Sequence, residues 1–166
     1  MSEPRKLRCY RYVDRPYENV RALLHAHPLE LLQHATTSAA ARARSVSANL
    51  KVTVAGVEIG IDVRAHVHRV RDEEGVAGLS PVTRVELGWE AARAPGLFPS
   101  MQAVLSVWPL SSTETQLEIE GQYHPPLGVV GSAIDATLLH RIAEASAHRL
   151  LDDVVEQIQR EAPPSA

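Results

Sequence analysis

Leu117-Glu118-Ile119-Glu120-Gly121-Gln122-Tyr123-His124-Pro125-Pro126-Leu127-Gly128 is the stretch from which the rest of the chain can be laid out. Leu117, Ile119 and Tyr123 alternate with Glu118, Glu120 and Gln122, the period of a half-buried strand. Pro125-Pro126 removes two backbone donors and holds its neighbours extended, so strand pairing ends near His124. Gly128 and Gly131 let the chain reverse. Ser132 then suits an N-cap, with Asp135 three residues on in the manner of a capping box. From Ala133 no Gly or Pro appears until Pro163, room for a helix of about 28 residues and roughly 42 Å.

Projected as a helix, Leu139, Ile142, Ala143, Ser146, Ala147, Leu150 and Val154 share one face, and Arg141, Glu144, His148, Asp152, Glu156 and Gln159 the other. The buried face is rich in small residues, which permit close packing on a sheet or leave room for a ligand. Close packing is the more common outcome, because protein interiors are normally filled.

Working backwards from this helix, the chain reads as strands. Val46 to Val54 alternates apolar and polar residues, and Ala55-Gly56 fits a hairpin turn. Ile59, Ile61, Val63, Ala65 and Val67 alternate with Asp62, Arg64, His66 and His68. Arg71 to Ser80 is charged and reads as a turn or loop. Val85, Leu87, Trp89 and Ala91 form the next dry face, Ala94-Pro95-Gly96 interrupts, and Met101, Ala103, Leu105 and Val107 follow before a turn at Ser111-Ser112-Thr113. One wet and one dry face per strand marks an antiparallel sheet covered on one side.

Ahead of these lie a first strand at Leu7 to Val13, a short helix with Asp14 as cap and Pro16 in its first turn, and a second short helix opening at Pro28 with Leu29, Leu32 and Ala35 on one side. The expected fold is α+β: a curved antiparallel sheet of six to seven strands around a long C-terminal helix, with two short helices between strands 1 and 2. A single domain over residues 1–166 is expected, with 1–6 and 162–166 as loose tails.

Composition narrows the function. At 166 residues and a net charge of −3, the chain is long enough for a full core and has no push towards nucleic acid. The fifteen Arg against two Lys read as compositional bias. Cys9 stands alone, so no internal disulfide forms. No signal-peptide core and no apolar run of membrane-spanning length is present, which sets a cytoplasmic expectation.

By element order over nearly the whole chain, and by the Leu117–Gly128 stretch followed by the helix with Asp135, His140-Arg141-Ile142-Ala143 and Leu150-Leu151, the sequence resembles the START-like helix-grip superfamily. This is the SRPBCC group, with its Bet v 1-like proteins and its polyketide cyclase/dehydrase and lipid-transport proteins, and the sequence looks like a bacterial branch of it. The resemblance implies a cavity between sheet and C-terminal helix for a lipid, sterol or polyketide-like molecule. The residues set to line it are Val63, Leu87, Trp89, Met101, Leu105, Leu117, Ile119, Tyr123, Leu139, Ile142, Ala143 and Ser146.

Candidate chemistry is sparse. His66 and His68 share a strand face, but no third ligand accompanies them, and Asp62 and Arg64 mark that face as solvated, so no metal is expected. His25, His27 and His34 read as exposed or half-buried histidines on the short helices. Tyr123 faces inward and wants a partner for its hydroxyl. No phosphate loop, nucleophile elbow or carboxylate pair is visible, so neither a catalytic residue nor a cofactor is assigned. The first reading is a non-catalytic carrier or sensor of an apolar molecule. The second is a polyketide cyclase-, aromatase- or dehydratase-like enzyme using the same cavity, and the third a protein-interaction groove.

Overall fold

The structure, a computed structural model, describes residues 5–33, 35, 63–76, 78–91, 100–124 and 136–163; for residues 5, 63, 64, 89–91, 124, 136–143, 145 and 146 it describes the backbone alone. In chain order come β1 (Arg5–Val13), α1 (Tyr17–Ala26), a helical turn α2 (residues 28–33), β2 (Val63–Glu73), β3 (Val82–Ala91), β4 (Ser100–Pro109), β5 (Thr115–His124) and α3 (Ala136–Glu161). The strands form one antiparallel sheet in the order β1-β5-β4-β3-β2. β2 to β5 follow one another as antiparallel neighbours in a meander, and β1 pairs with its last strand, β5.

Alternation sorts the sheet as expected. Leu87, Ala103, Gly121 and Leu7 stand side by side on four neighbouring strands, and so do Val85, Leu105, Ile119 and Cys9. All eight are buried. Glu118, Glu120, Gln102 and Gln122 point to the other side, where Arg8 pairs with Glu118 at 2.9 Å. At ~25 cal/mol per Å² of apolar surface removed from water, each fully buried leucine contributes about 1.5–3 kcal/mol.

Five strands are described where six to seven were expected. The expected strand at Val46–Val54, the turn at Ala55-Gly56, the interruption at Ala94–Gly96, the turn at Pro125–Gly128 and the cap at Ser132 with Asp135 lie outside the described residues, as does His34. Four expectations need correction. Arg71–Glu73 are strand, paired with Val82–Arg84, not loop. Pro16, not Asp14, occupies the N-cap of α1, without a side-chain cap bond. Leu29 is exposed, while Leu31, Leu32 and Ala35 are buried. The tails are shorter than expected, since Lys6 pairs with Gln122 in the sheet and Ala162 is buried.

The C-terminal helix α3 lies against β1 and β5. Ala147, Leu150, Leu151, Val154 and Ile158 are buried, and Glu144, His148, Glu156 and Gln159 are exposed. Arg11, which shares the inner face of β1 with Cys9 and Val13, reaches Asp152 of α3 at 2.6 Å. Arg15 holds the end of the helix: its Nε donates to the carbonyl of Ala162 and its Nη2 to that of Gln159, both at 2.7 Å. No helix among the described residues is long and apolar enough to cross a membrane.

Candidate functional site

The buried face of the sheet collects the described sheet residues that the sequence marks as lining. Leu87, Met101, Leu105, Leu117, Ile119 and Tyr123 are each at most 3% exposed. Val63 and Trp89 lie on β2 and β3, with Trp89 in register with Ala65 and Met101. Leu139, Ile142, Ala143 and Ser146 lie on the first half of α3. Their side chains are outside the described residues, so the inward cluster shown is the sheet half of the expected lining.

Among the described residues, the sequence reading missed two acidic groups on this inner side, Asp72 at its exposed edge and Asp153 within it. The first is Asp72. Between Val67 and Arg69 the β2–β3 register shifts, leaving His68 as an extra residue. Such a β-bulge reverses which side chains face inward beyond it. Strict alternation from Ala65 would put Asp72 outside; the bulge puts it beside Thr83 on the inner face. Thr83 Oγ1 donates to Asp72 Oδ1 at 2.8 Å, and so accepts the Tyr17 hydroxyl proton at 2.7 Å. Arg21 and His25 close on the same carboxylate at 2.8 and 3.0 Å. Burial alone would push the Asp72 carboxyl up, but hydrogen bonds from Arg21, His25 and Thr83 outweigh it and hold the pKa at about 2. Burial raises the Tyr17 phenol against the opposing pull of its bond to Thr83. The only sequence sign of this cluster was the loss of alternation after Val67.

The second is Asp153 on α3, 4% exposed. Arg149 Nη2 meets its Oδ1 at 2.9 Å, and its buried Oδ2 has no hydrogen-bond partner among the described residues. Neither the apolar nor the charged face of the projected helix included it.

Other candidates resolve more simply. Burial pushes the Cys9 thiol up to about 11, which leaves it protonated and inert at neutral pH. His66 pairs across to Gly88 and is half-buried, and His68 is exposed. Among the described residues no three His, Cys, Asp or Glu side chains converge to hold a metal ion. His27 lies 3.5 Å from Glu30 on the surface. A trough of about 470 Å³ opens on the outer side of the sheet, away from α3, where Lys6, Arg84, Glu86, Gln102 and Glu120 surround it. It lies on the face opposite the expected cavity, and its mixed charge suits water better than an apolar ligand.

A strand, two short helices, an antiparallel meander with β1 paired to its last strand, and a long C-terminal helix make up a helix-grip fold. No family model matches the sequence, and no curated protein is significantly similar to it. Solved structures that resemble it do so distantly. The Zhui aromatase/cyclase from Streptomyces sp. R1128 is 13% identical, with 95% of each chain covered and a TM-score of 0.48. A conserved protein from Geobacillus kaustophilus is 10% identical over 96% of this chain and 98% of its own, at 0.49. Norcoclaurine synthase from Thalictrum flavum is 7% identical over 97% and 90%, at 0.42.

Proposed function

We propose that the protein binds a small apolar molecule, of lipid, sterol or polyketide-like character, between the concave sheet face and α3, as a carrier or sensor. The observation that supports this best is the segregation of the sheet. Its described inner rows are apolar on four adjoining strands, apart from a few polar positions and Arg11, and the other described charged side chains of those strands face outward. A curved sheet and a straight helix do not follow one another everywhere, and the gap is a pocket unless bulky side chains fill it. Ala103, Gly121 and Ala147 are small, and the whole chain has one Phe and two Trp. The proposed lining is the set of twelve residues named from the sequence. The test is thermal unfolding with a panel of fatty acids, sterols and polycyclic phenols. Saturable stabilisation by at least one class is the expected result, and a flat response to all of them overturns the reading.

A second reading, an enzyme acting on a polyketide-like substrate, is favoured by one observation: the directed chain Tyr17–Thr83–Asp72 joins a buried phenol to a half-buried carboxylate. General acid–base work needs such paired groups of different acidity. If this reading holds, Tyr17→Phe abolishes cyclisation of a poly-β-ketone thioester while leaving probe binding intact. Equal turnover by both proteins removes it.

A further inference from the structure

We propose that Asp153 is the polar anchor of the ligand space, and that the ligand is an apolar molecule presenting a hydroxyl group to it. The inference rests on the apolar-ligand reading above and narrows its chemistry.

A carboxylate oxygen shut away from water without a donor is one of the more costly features a fold retains, and each instance calls for a reason. Among the described residues, Asp153 has one satisfied oxygen and one without a donor, at 4% exposure. Its place on α3 points away from β1. Consecutive helical residues are about 100° apart, and Asp152 is the residue turned to Arg11 of β1. Asp153 therefore occupies the next flank round. Ser146, seven residues earlier, lies on the same stripe, among the helix positions assigned to the lining. Buried Leu150 borders it on one side and exposed Arg149 on the other.

The chemistry of the missing partner follows from Arg149. That guanidinium already sets a positive charge against the carboxylate, so the pair is close to neutral. A second cation would leave an excess of charge in an apolar surrounding, where isolated charge is strongly disfavoured. A neutral O–H donates one hydrogen bond to Oδ2 and brings no charge. An alcohol or phenol on an otherwise apolar skeleton fits; a hydrocarbon or an ether does not.

The experiment compares dodecanol with its isomeric methyl undecyl ether, equal in size and differing in the donor, by titration into wild type, Asp153→Leu and Asp153→Asn. A hydrogen bond to a charged acceptor predicts that wild type binds the alcohol roughly tenfold more tightly than the ether. In Asp153→Leu the preference should disappear while ether affinity is retained. Wild type binding both equally overturns the anchor and leaves the apolar reading standing. A preference that survives in Asp153→Leu also overturns it, by placing the acceptor elsewhere. No binding of either probe, together with a flat response to the wider panel, removes the apolar reading itself. Should Asp153→Leu fail to fold, the wild-type comparison still decides, and Asp153→Asn, which keeps the shape and loses the charge, should show a weakened preference.

Discussion

At the scale of the residue, the interior is specified by a few positions that simple alternation does not describe. Gly121 is one. A Cβ there would stand 2.8 Å from Ala103 Cβ, from the carbonyl oxygen of Gln102 and from Met101 Cε. The methionine can swing aside, but the carbonyl is locked in the strand ladder. Gly121→Ala should therefore cost about 1–3 kcal/mol in urea unfolding, as overpacking generally does. Gly88→Ala is the control, because its nearest contact, at 2.9 Å, is the end of the exposed Gln102 side chain, which can move. Equal losses in the two variants would contradict this account. Asp72 is another such position. Its folded pKa of about 2 lies below the ordinary 3.8, so its stabilisation is fully present above pH 4 and is lost as pH falls through about 2. Asp72→Asn should thus be about 1–2 kcal/mol less stable than wild type at pH 7, with the gap closing between pH 4 and pH 2. A gap unchanged across that range would show that the carboxylate charge is not what Arg21, His25 and Thr83 hold. The sequence showed a charged run at residues 71–80 and hid this role, because a single extra residue, His68, reverses the facing of everything after it.

Among the elements, α3 shows what periodicity can and cannot read. Its length and its buried positions Ala147, Leu150 and Val154 follow from an apolar stripe with no Gly or Pro to interrupt it. Leu151 and Asp153 escaped that projection, because burial at the flanks depends on what neighbours cover them and not on the helix's own pattern. The end of the helix is also set from elsewhere. The last carbonyls of any helix lack internal partners. Here Arg15, from the turn after β1, supplies donors to Gln159 and Ala162, while Asn19 of α1 donates to Pro163 at 2.8 Å. Sequence alone left 162–166 as a tail because the clamp is 144 residues away from its target Gln159. Arg15→Ala should cost about 1–2 kcal/mol and speed amide exchange in the last turn of α3. Arg15→Lys should rescue little, since one ammonium does not reproduce a planar fork that spans two carbonyls. Full rescue by lysine would mean that charge near the helix end, not bond geometry, matters there.

For the whole molecule, the claim to be tested is thermodynamic linkage between an apolar ligand and the closed sheet–helix unit. Element order and strand facing were legible because each rests on local rules: prolines that end strands, period two in the sheet, period 3.6 in the helix. The volume proposed between the sheet and α3 is not set by local rules. It depends on curvature, and on how far a helix held along β1 by Arg11–Asp152 and clamped by Arg15 stands off β3 and β4. Ligand binding reads that volume directly. A molecule that binds only the folded chain, at a hundred times its dissociation constant, adds about 2.7 kcal/mol. For a domain of this size that corresponds to a Tm rise of roughly 5–10 °C. The rise should grow with the logarithm of ligand concentration beyond saturation. Non-specific surfactant adsorption behaves otherwise, because it favours the unfolded chain and lowers Tm. Leu105→Asp, which places a charge among Val85, Ile119 and Cys9 on the concave face, should lose the rise along with stability. Gln102→Glu, on the opposite face, should keep both. A ligand-induced rise that survives in Leu105→Asp, or vanishes in Gln102→Glu, would move the binding site off the concave side and onto the polar trough behind it.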